Sequence, residues 1–486
     1  MSSEPAVKPW GQAALAAKRS TIRTHQAKYA MQREQWIRGN SLFYDSVKQM
    51  LRFIVEPRKS VLNLRCQTGF LLDAVNPVRG VGVEISPAMK EIAHQRYPQY
   101  EFLVADPEDL TLTEKFDYIL FDNISDTVDV QRAFERLKPL CKRHTRLVIY
   151  TYNHLWEPIL TLAERLGLKM PLTEQNWLSE SDLRDLLHLS GFQWLRTYRT
   201  VILPKWIPFV SWFLNRCVAK LPGLNRLCMV NMLVARPVPA PLDPESVSVS
   251  VVIPCKNEAG NIAQAIERIP MMGRHTEIIF CDDKSTDGTA AEVRRMQQAY
   301  PSRDIKLVAG AGICKALNVW TGFRAATGDI LMILDGDLTV MPEELPYFFN
   351  AIIDGKGEFI NGSRLVYPMQ HQAMKFTNML GNKFFSMLFS YLLNQRIRDT
   401  LCGTKVIWAN DWRRLEPLIG TWGVDDRWGD YEVLFGAAKL HLRIIDLPVH
   451  YQERLYGSTK MVSVMRNGIR MLRMCLACFV KLKLGY

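Results

Sequence analysis

Apolar runs that end in acidic residues recur along this chain and predict its folded elements. In the first half, such runs cover residues 60–64, 80–83, 102–105 and 116–121, and the last three are followed directly by Glu or Asp. Short apolar strands that alternate with helical segments indicate serial βαβ units and a doubly wound sheet. The acids then lie at the carboxyl ends of the strands, where open α/β sheets bind ligands.

The same pattern returns in the second half of the chain. Strands are predicted at 247–253, 277–281, 305–308 and 331–334, and a helix is predicted from about Lys315. The polar residues that follow these strands again include acids on one edge of the predicted sheet. The sequence therefore predicts an α/β protein with two doubly wound domains.

Breaks in this pattern divide the chain into five segments. They are a basic helical leader at 1–39, the first α/β domain at 40–236, a linker at 237–246, the second α/β domain at 247–460 and an amphipathic helix at 461–486. The linker is rich in proline, which imposes extended geometry on its neighbours. With 486 residues, the chain is long enough for two or three hydrophobic cores.

The net charge of +12 is confined to the two ends of the chain. Residues 1–60 hold eleven Lys or Arg against four Asp or Glu, and residues 461–486 hold five against none. The residues between these ends are balanced, which argues against a general nucleic-acid-binding surface. Basic ends suit an anionic membrane surface, and ordinary solvated tails are the alternative.

The last segment has the pattern of a helix that lies in a membrane interface. Arg466, Arg470 and Arg473 recur at helical spacing and form one basic face beside the apolar run 474–480. We therefore expect a peripheral protein rather than one that spans the bilayer.

Two other apolar segments, 206–214 and 384–393, are too short to cross a bilayer of about 30 Å as helices. The first contains two tryptophans between Lys205 and Arg216, which favours either an interfacial helix or a buried core helix. No long apolar run follows the basic residues of the N-terminus, which argues against a signal peptide. These features predict a cytoplasmic protein on the inner face of the cell membrane.

The acidic pair Asp335 and Asp337, separated by Gly336, is the first candidate for chemistry. Residues i and i+2 of an extended chain point to the same face, so both carboxylates can bind one ion. Two hard oxygen ligands, with water and substrate phosphates completing the shell, suit Mg²⁺ or Mn²⁺. Such a pair is weak support on its own, because many are solvated turns.

Six motifs of the second domain resemble those of family 2 glycosyltransferases with the GT-A fold, of the dolichyl-phosphate mannose synthase type. In chain order they are 251–254 with 257–258, 282–283 with 285–289, 335–337, 362–364, 399–405 and 451–460. The resemblance implies a metal-dependent, inverting enzyme that moves a sugar from a nucleotide-sugar donor to a polyprenyl phosphate. A saccharide or glycolipid hydroxyl is the alternative acceptor.

The same resemblance implies roles for individual residues. Donor binding is implied for Pro254, Asn257, Glu258, Asp283, Lys315 and Asp335. Metal binding is implied for Asp335 and Asp337. Charge compensation of an acceptor phosphate is implied for Arg364, Arg454 and Lys460. Catalytic roles are implied for Asp337, Asp430 and Glu432: one of the last two is the base for a hydroxyl acceptor, and both organise the arginines for a phosphate acceptor.

Residues 40–236 resemble class I S-adenosylmethionine-dependent methyltransferases. The family's turn after the first strand is Asp/Glu-x-Gly-x-Gly-x-Gly, and here those positions hold Asn63, Arg65, Gln67 and Gly69. Only the last glycine matches the family pattern. By position, Asn63 and Gly69 would face the cofactor, Glu84 would hold its ribose hydroxyls and Asp106 would lie beside its adenine.

S-adenosylmethionine is therefore a cofactor implied by resemblance. Three alternatives remain at this point: a bifunctional protein with an active methyltransferase, a methyltransferase whose second half is a docking module, and a methyltransferase fold kept as a scaffold or acceptor platform.

Overall fold

The computed structural model describes residues 12–173, 175–367, 376–423, 426–452 and 464–485. Two of the predicted acceptor-phosphate residues, Arg454 and Lys460, lie outside these ranges. The chain separates into two compact units between Val238 and Pro239, and each unit contains one described sheet of seven strands.

The sheet of the first unit has the spatial order β3-β2-β1-β4-β5-β7-β6. In chain order its strands are β1 (Ser60–Leu64), β2 (Arg79–Glu84), β3 (Glu101–Val104), β4 (Phe116–Phe121), β5 (Cys141–Tyr152), β6 (Phe192–Thr200) and β7 (Val230–Pro237). Strands β1 to β5 pair in parallel, whereas β7 runs antiparallel to both of its neighbours. The carboxyl ends of β1, β2 and β4 therefore lie along one edge.

The helices of the first unit connect these strands and cover the faces of the sheet. They are α1 (Gln12–Tyr29), α2 (Arg33–Gly39), α3 (Ser41–Ile54), α4 (Phe70–Ala74), α5 (Pro87–Arg96), α6 (Val130–Leu137), α7 (Glu157–Arg165), α8 (Glu180–Leu189) and α9 (Val210–Arg216). The start of α5 shows why the sequence places a helix after β2: the Ser86 hydroxyl accepts a hydrogen bond from the Met89 amide at 3.4 Å, and Pro87 occupies the first turn.

The sheet of the second unit has the order β10-β9-β8-β11-β13-β12-β14. Its strands are β8 (Ser248–Cys255), β9 (His275–Asp282), β10 (Asp304–Ala309), β11 (Ile330–Ile333), β12 (Phe359–Ser363), β13 (Lys405–Trp408) and β14 (Ile444–Pro448). Strands β8 to β11 pair in parallel, and β13 is antiparallel to β11 and β12. Ile333 is in register with Val252, so the residues after β11 emerge beside the end of β8.

Helices on both faces complete the second unit. They are α10 (Ala259–Arg268), α11 (Thr289–Ala299), α12 (Lys315–Ala325), α13 (Leu345–Ile353), α14 (Phe376–Leu393), α15 (Ala409–Leu415), α16 (Tyr431–Lys439) and α17 (Val464–Leu482). Its core is built from the inward side chains of the central strands, among them Val251 and Ile330, against Phe348 of α13. The two predicted α/β domains are confirmed, and both sheets are mixed rather than wholly parallel.

The C-terminal helix differs from its prediction. The apolar run 474–480 does not face one way: Met474, Cys475 and Cys478 are buried within the unit, whereas Leu476 and Val480 are exposed. The helix α17 packs against α14 and α16 and presents only its outer face to solvent. No helix in the described ranges is both long enough and apolar enough to cross a bilayer.

Candidate functional site

Asp335 lies at the carboxyl edge of the second sheet, two residues after β11 ends. Its Oδ1 atom is 2.5 Å from Nζ of Lys315, the first residue of α12. Burial alone would raise the pKa of Asp335, but the ion pair with Lys315 and the charges of Lys405 and Arg364 together hold that pKa below the usual value. Asp335 is therefore an ionised carboxylate at neutral pH.

A second buried ion pair lies beside the first. Lys405, at the start of β13, donates from Nζ to Oδ1 of Asp430 at 2.5 Å, and both side chains are almost fully shielded from solvent. Burial would lower the pKa of Lys315, but the charges of Asp335 and Asp430 raise it. The two lysines and two carboxylates thus form one cluster of alternating charge.

Gly403 makes room for this cluster. A Cβ atom at Gly403 would lie 2.1 Å from Oδ2 of Asp335, far inside van der Waals contact. The Asp335 carboxylate therefore lies directly against the backbone of Gly403, two residues before β13 begins. Any larger residue at this position would displace the carboxylate.

Asp337 is oriented by the turn that follows it. Its Oδ1 atom accepts hydrogen bonds from the Thr339 amide at 3.2 Å and the Thr339 hydroxyl at 2.9 Å. Between the two acids, Gly336 lies so close to β8 that an added Cβ would be 3.1 Å from the Pro254 carbonyl oxygen. The acidic pair is thus held against the loop at the end of β8.

That loop, residues 254–258, is joined to residues 285–289 by hydrogen bonds. The Asn257 amide donates to the Ser285 hydroxyl at 2.9 Å, and the Asn257 side-chain oxygen accepts from the Thr286 amide at 2.8 Å. The backbone of Asn257 has φ +55°, a left-handed conformation that asparagine tolerates. The structure therefore brings the first two motifs together as one wall of the site.

The remaining predicted donor-side acids are already bonded within this wall. The Glu258 side chain accepts from Nδ2 of Asn261 at 2.8 Å. Asp283 accepts from the Gly312 amide at 2.7 Å, and its second oxygen lies 3.4 Å from Nζ of Lys256. These contacts hold the carboxylates of Glu258 and Asp283 in defined positions within the wall.

Arg364, predicted to bind an acceptor phosphate, is committed to a carboxylate of its own unit. Its Nε and Nη2 atoms donate to the two oxygens of Asp399 at 2.8 and 2.9 Å. Burial would raise the pKa of Asp399, but the Arg364 guanidinium holds it well below the usual range. The Nε and Nη2 atoms of Arg364, which could bind a phosphate as a pair, are therefore both used by Asp399.

Glu432 is not brought to the cluster, although Asp430 is. The Glu432 carboxylate accepts from the Gly420 amide at 3.0 Å on another side of the helix, and burial raises its pKa to about 7. Residues two apart at the start of a helix point in nearly opposite directions. The two acids therefore occupy separate surroundings despite their proximity in sequence.

In the first unit, Glu84 ends β2 as predicted, but its carboxylate is fully buried. One oxygen accepts from the Gln67 amide at 2.8 Å. The other accepts from the amides of Ile85 and Ser86 at 2.8 and 3.2 Å. The chain itself thus occupies both oxygens of the residue predicted to hold ribose hydroxyls.

The basic leader, residues 1–39, also contacts Glu84 and the residues around it. With its amide oriented to satisfy both neighbours, Gln26 of α1 donates to Glu84 at 2.7 Å and accepts from Arg65 at 3.0 Å. Arg19 of the same helix lies 3.5 Å from Asp106, the residue predicted to lie beside adenine. At least part of the leader's charge is therefore paired within its own unit.

The first unit also contains a cavity of about 210 Å³. Among the side chains that line it are Arg33, Gln67, Phe70, Asp122, Tyr150 and Lys169. None of the four predicted cofactor residues, which are Asn63, Gly69, Glu84 and Asp106, contributes to its lining. Burial raises the pKa of Asp122 to about 7, so a titratable carboxyl group faces a cavity lined by apolar, aromatic and charged side chains.

Comparison with known families agrees with the architecture of both units. Residues 250–407, which include the paired loops, Asp335, Asp337 and Lys405, match the family model Glycosyl transferase family 2. The chain carries a family 2 glycosyl transferase domain. Residues 62–149, from β1 into β5, match a model described as Methyltransferase domain.

The chain is also similar to curated proteins. It is 36% identical over 120 residues to a dolichol-phosphate mannosyltransferase of Pyrococcus furiosus, a match that covers 24% of this chain and 33% of that protein. It is 32% identical over 111 residues to the undecaprenyl-phosphate 4-deoxy-4-formamido-L-arabinose transferase of Edwardsiella ictaluri, covering 22% and 34%. The matches therefore span about a third of each relative.

The solved structures similar to this chain include methyltransferases. The magnesium protoporphyrin IX methyltransferase of Synechocystis aligns over 45% of this chain and 99% of its own, with 16% identity and a TM-score of 0.32. An S-adenosylmethionine-dependent methyltransferase of Mesorhizobium loti aligns over 38% and 95%, with 15% identity and a TM-score of 0.29.

The acidic pair of the family 2 domain fits a divalent cation. Asp335 and Asp337 supply hard oxygen donors, and Lys315 shows that a positive charge is stable against Asp335. The described residues contain no group of three or more His, Cys, Asp or Glu arranged to hold a metal. An ion bound by this pair would thus take its other ligands from water and the donor phosphates.

The methyltransferase domain does not fit its implied cofactor as well as its fold suggests. Both Glu84 oxygens are used by backbone amides, and Arg65 and Gln67 stand where the family has glycine. Arg65 is itself buried and lies 3.3 Å from Asp126. These residues therefore do not fit S-adenosylmethionine in the way that the family pattern implies.

Three residues of the family 2 site were not assigned a role from the sequence. Lys405 and Gly403 contact the acidic cluster, and Asp399 holds Arg364. All three belong to the motif 399–405, so the signal was present, but the motif alone does not say which of its residues face the site.

Proposed function

We propose that this chain is a glycosyltransferase that moves a sugar from a nucleotide-sugar donor to a polyprenyl phosphate. The observation that carries the proposal is the cluster of Asp335, Lys315, Lys405 and Asp430 at the carboxyl edge of a family 2 domain. Two curated relatives are named as transferases that use dolichol phosphate or undecaprenyl phosphate, which supports this class of acceptor.

The donor binds, in this proposal, along the wall formed by residues 254–258 and 285–289. Asp283 is held by Gly312 and faces Lys256, and accepts hydrogen bonds from the base or ribose. The hydrogen bonds between the two loops fix the shape of this wall before the donor arrives, which lowers the entropic cost of binding.

The diphosphate of the donor lies at the acidic pair. Asp335 and Asp337 would hold Mg²⁺ or Mn²⁺ there, and such an ion supplies Lewis-acid neutralisation of the departing nucleoside diphosphate. Lys315 contacts Asp335 directly, so its ammonium is placed to orient the same phosphates and to share in stabilising their charge.

The transfer inverts the configuration at the sugar. An acceptor phosphate oxygen forms a bond to the anomeric carbon as the bond from that carbon to the donor phosphate breaks, and the electron pair leaves with the nucleoside diphosphate. The second pKa of a phosphomonoester is about 6, so the attacking oxygen carries no proton at neutral pH. The site then needs positive charge more than it needs a base.

The placement of the predicted catalytic acids favours this acceptor over a hydroxyl. A hydroxyl acceptor needs a general base within hydrogen-bonding reach. Asp430 already accepts from Lys405, and Glu432 points toward Gly420. In this proposal Asp430 holds Lys405 in position. Arg364 is bound by Asp399, so its two donating atoms do not form an open phosphate-binding fork.

The outer face of α17 attaches the family 2 domain to the cytoplasmic side of an anionic membrane. Ile469, Leu472 and Leu476 are exposed there beside Arg466 and Arg473, and the segment 461–486 contains no acidic residue. Exposed apolar groups with cations suit a lipid interface. The methyltransferase domain serves as a scaffold in this proposal, because Glu84 is closed to a cofactor.

Competition between acceptors tests the proposed function. Purified chain is incubated with radiolabelled nucleotide sugars and either a polyprenyl phosphate or a glycolipid that offers only hydroxyl groups. We expect label in the polyprenyl phosphate product. Label transferred only to the hydroxyl acceptor would contradict the proposal and support the alternative enzyme.

A further inference from the structure

The first unit exposes aromatic side chains that a folded domain normally buries. Trp206, Phe209, Trp212 and Phe213 have exposed fractions of 72%, 88%, 65% and 54%. These residues belong to α9 and the turn before it, and we call them the aromatic surface. A buried core helix, one of the two alternatives for this segment, is excluded by these exposures.

The segment is folded with its polar side chains inside. The Ser211 hydroxyl, which is buried, accepts from the Ile207 amide and donates to the Lys205 carbonyl, both at 2.7 Å. Asn215 accepts from the amides of Ile202 and Leu203 at 2.8 and 2.9 Å. The side chains of Ser211 and Asn215 thus stabilise the segment by internal hydrogen bonds, and its aromatic rings are left exposed to solvent.

Phe209, which is exposed, has a strained backbone conformation. Its φ of +60° with ψ of −41° is a conformation that bulky residues rarely adopt. Strain of this kind persists where the surrounding structure fixes it and is concentrated at functional positions. Phe209 is the most exposed of the four rings, so the strained turn places an aromatic group in solvent.

The first unit also exposes a second apolar row, along α7. The Trp156 indole donates to the Leu227 carbonyl at 2.8 Å, which joins the start of α7 to the turn that follows α9. Ile159 and Leu162 on α7 and Leu166 directly after it have exposed fractions of 54%, 55% and 63% and recur at helical spacing. The first unit thus exposes apolar side chains in groups along the chain, which favours an interaction site over scattered surface residues.

The segment that carries the aromatic surface has charged residues of one sign. Residues 186–242 contain no Asp or Glu. Lys205 and Arg226 are exposed, and Arg216 is half-buried at the end of α9. Tryptophans beside basic residues are typical of the lipid headgroup region, and each basic group near an anionic bilayer adds to binding.

We propose that the aromatic surface docks the first unit on an anionic lipid bilayer. The rings of Trp206, Phe209 and Trp212 enter the interfacial region, and Lys205 and Arg226 contact anionic headgroups. This contact is separate from the glycosyl transfer reaction and from the outer face of α17. It assigns the methyltransferase domain a role as a membrane-binding module that requires no cofactor.

Amide hydrogen exchange on the full chain tests the proposal locally. Exchange is followed with and without vesicles made of equimolar phosphatidylcholine and phosphatidylglycerol. We expect slower exchange across residues 202–216 with these vesicles, whatever happens at α17. Unchanged exchange across this segment would overturn the proposal. Protection that appears without vesicles and grows with protein concentration would also overturn it, because the occupant is then a second copy of the chain.

A matched pair of variants tests the side chains. The triple variant Trp206→Ser, Phe209→Ser, Trp212→Ser is compared with Met31→Ser, Val78→Ser, Leu189→Ser, whose parent residues are 82%, 72% and 67% exposed on the same unit. We expect vesicle binding to fall at least about tenfold in the first variant, since burial of one large apolar side chain is worth more than a factor of ten. The control variant should bind like the parent. Equal binding by both variants would overturn the proposal.

Activity distinguishes this inference from the proposed function. Both triple variants should transfer sugar to a detergent-dispersed acceptor at the parental rate, because none of the changed residues belongs to the family 2 domain. Loss of vesicle binding with retained transfer supports the docking role. Loss of transfer in the aromatic variant alone would overturn the separation between docking and catalysis.

Discussion

Lys315 and Asp335 form an ion pair of 2.5 Å between the first residue of α12 and the loop after β11. The pair joins two segments that meet only because β11 lies beside β8 at the centre of the sheet. It places a cation against the carboxylate that the family motif assigns to the donor phosphates. The predictions for the family 2 domain start from this contact.

Removing the cation should impair catalysis without unfolding the domain. Lys315→Gln keeps a side chain of similar length but leaves Asp335 without its partner. We expect kcat/KM to fall on the order of 100-fold, as when a charge-stabilising donor is removed from other active sites. Steady-state rates measure the effect. Arg295→Gln, which changes an exposed pair on α11, is the control, and equal rates for both variants would show that Lys315 has no such role.

Adding one methyl group at Gly403 should have a similar consequence by steric means. Gly403→Ala places a Cβ where Oδ2 of Asp335 now lies, so the carboxylate must move. We expect a large loss of turnover with a near-normal melting temperature. Gly381→Ala is the matched control, because an added Cβ there meets nothing within 4 Å. Normal turnover by Gly403→Ala would contradict the position assigned to Asp335.

The Arg364 and Asp399 pair should contribute to the stability of the second unit. Asp399→Ala leaves a buried guanidinium without its partner, which costs about 3–5 kcal/mol in other proteins. Urea unfolding of the second unit measures this loss. Glu343→Ala removes an exposed partner of Arg268 and should change the unfolding free energy by less than about 1 kcal/mol. Similar effects of both substitutions would mean that Arg364 is not held by Asp399.

Asp122 should make the stability of the first unit depend on pH. Burial raises its pKa from 3.8 to about 7, so the folded state binds this proton more tightly than the unfolded state. The stabilisation is present below about pH 4 and is lost as the pH rises toward about 7. Asp122→Asn removes this titration and should flatten the dependence of the urea midpoint on pH. A parallel, unflattened profile would contradict the raised pKa; Asp45→Asn is the exposed control.

Much of the fold could be predicted because its strands are short apolar runs with clear ends. The predictions at 60–64 and 116–121 coincide with β1 and β4. Strands β5 to β7 and β12 to β14 were not predicted, since their polar residues interrupt the apolar pattern. Tertiary pairing rather than local pattern defines these strands, as in the antiparallel contact of β5 with β7.

The site could be predicted only where consecutive residues carry it. The spacing of Asp335 and Asp337 indicated a shared edge, but Lys405 reaches Asp430 across 25 residues of sequence. The resemblance implies a catalytic role for both Asp430 and Glu432, which lie two residues apart, and their separation in the structure depends on where α16 begins. The closure of Glu84 by Gln26 joins residues that no local pattern connects.

The central claim is that sugar transfer depends on the acidic pair after β11, and Asp337→Asn tests it most directly. Transfer from a nucleotide sugar to a polyprenyl phosphate is measured for the parent, for Asp337→Asn and for the exposed control Asp45→Asn, each with Mg²⁺ and with a chelator. We predict that the substitution and the chelator each abolish transfer, that the control retains it, and that Mg²⁺ restores only the parent and the control. Undiminished transfer by Asp337→Asn in the presence of Mg²⁺ would contradict the account.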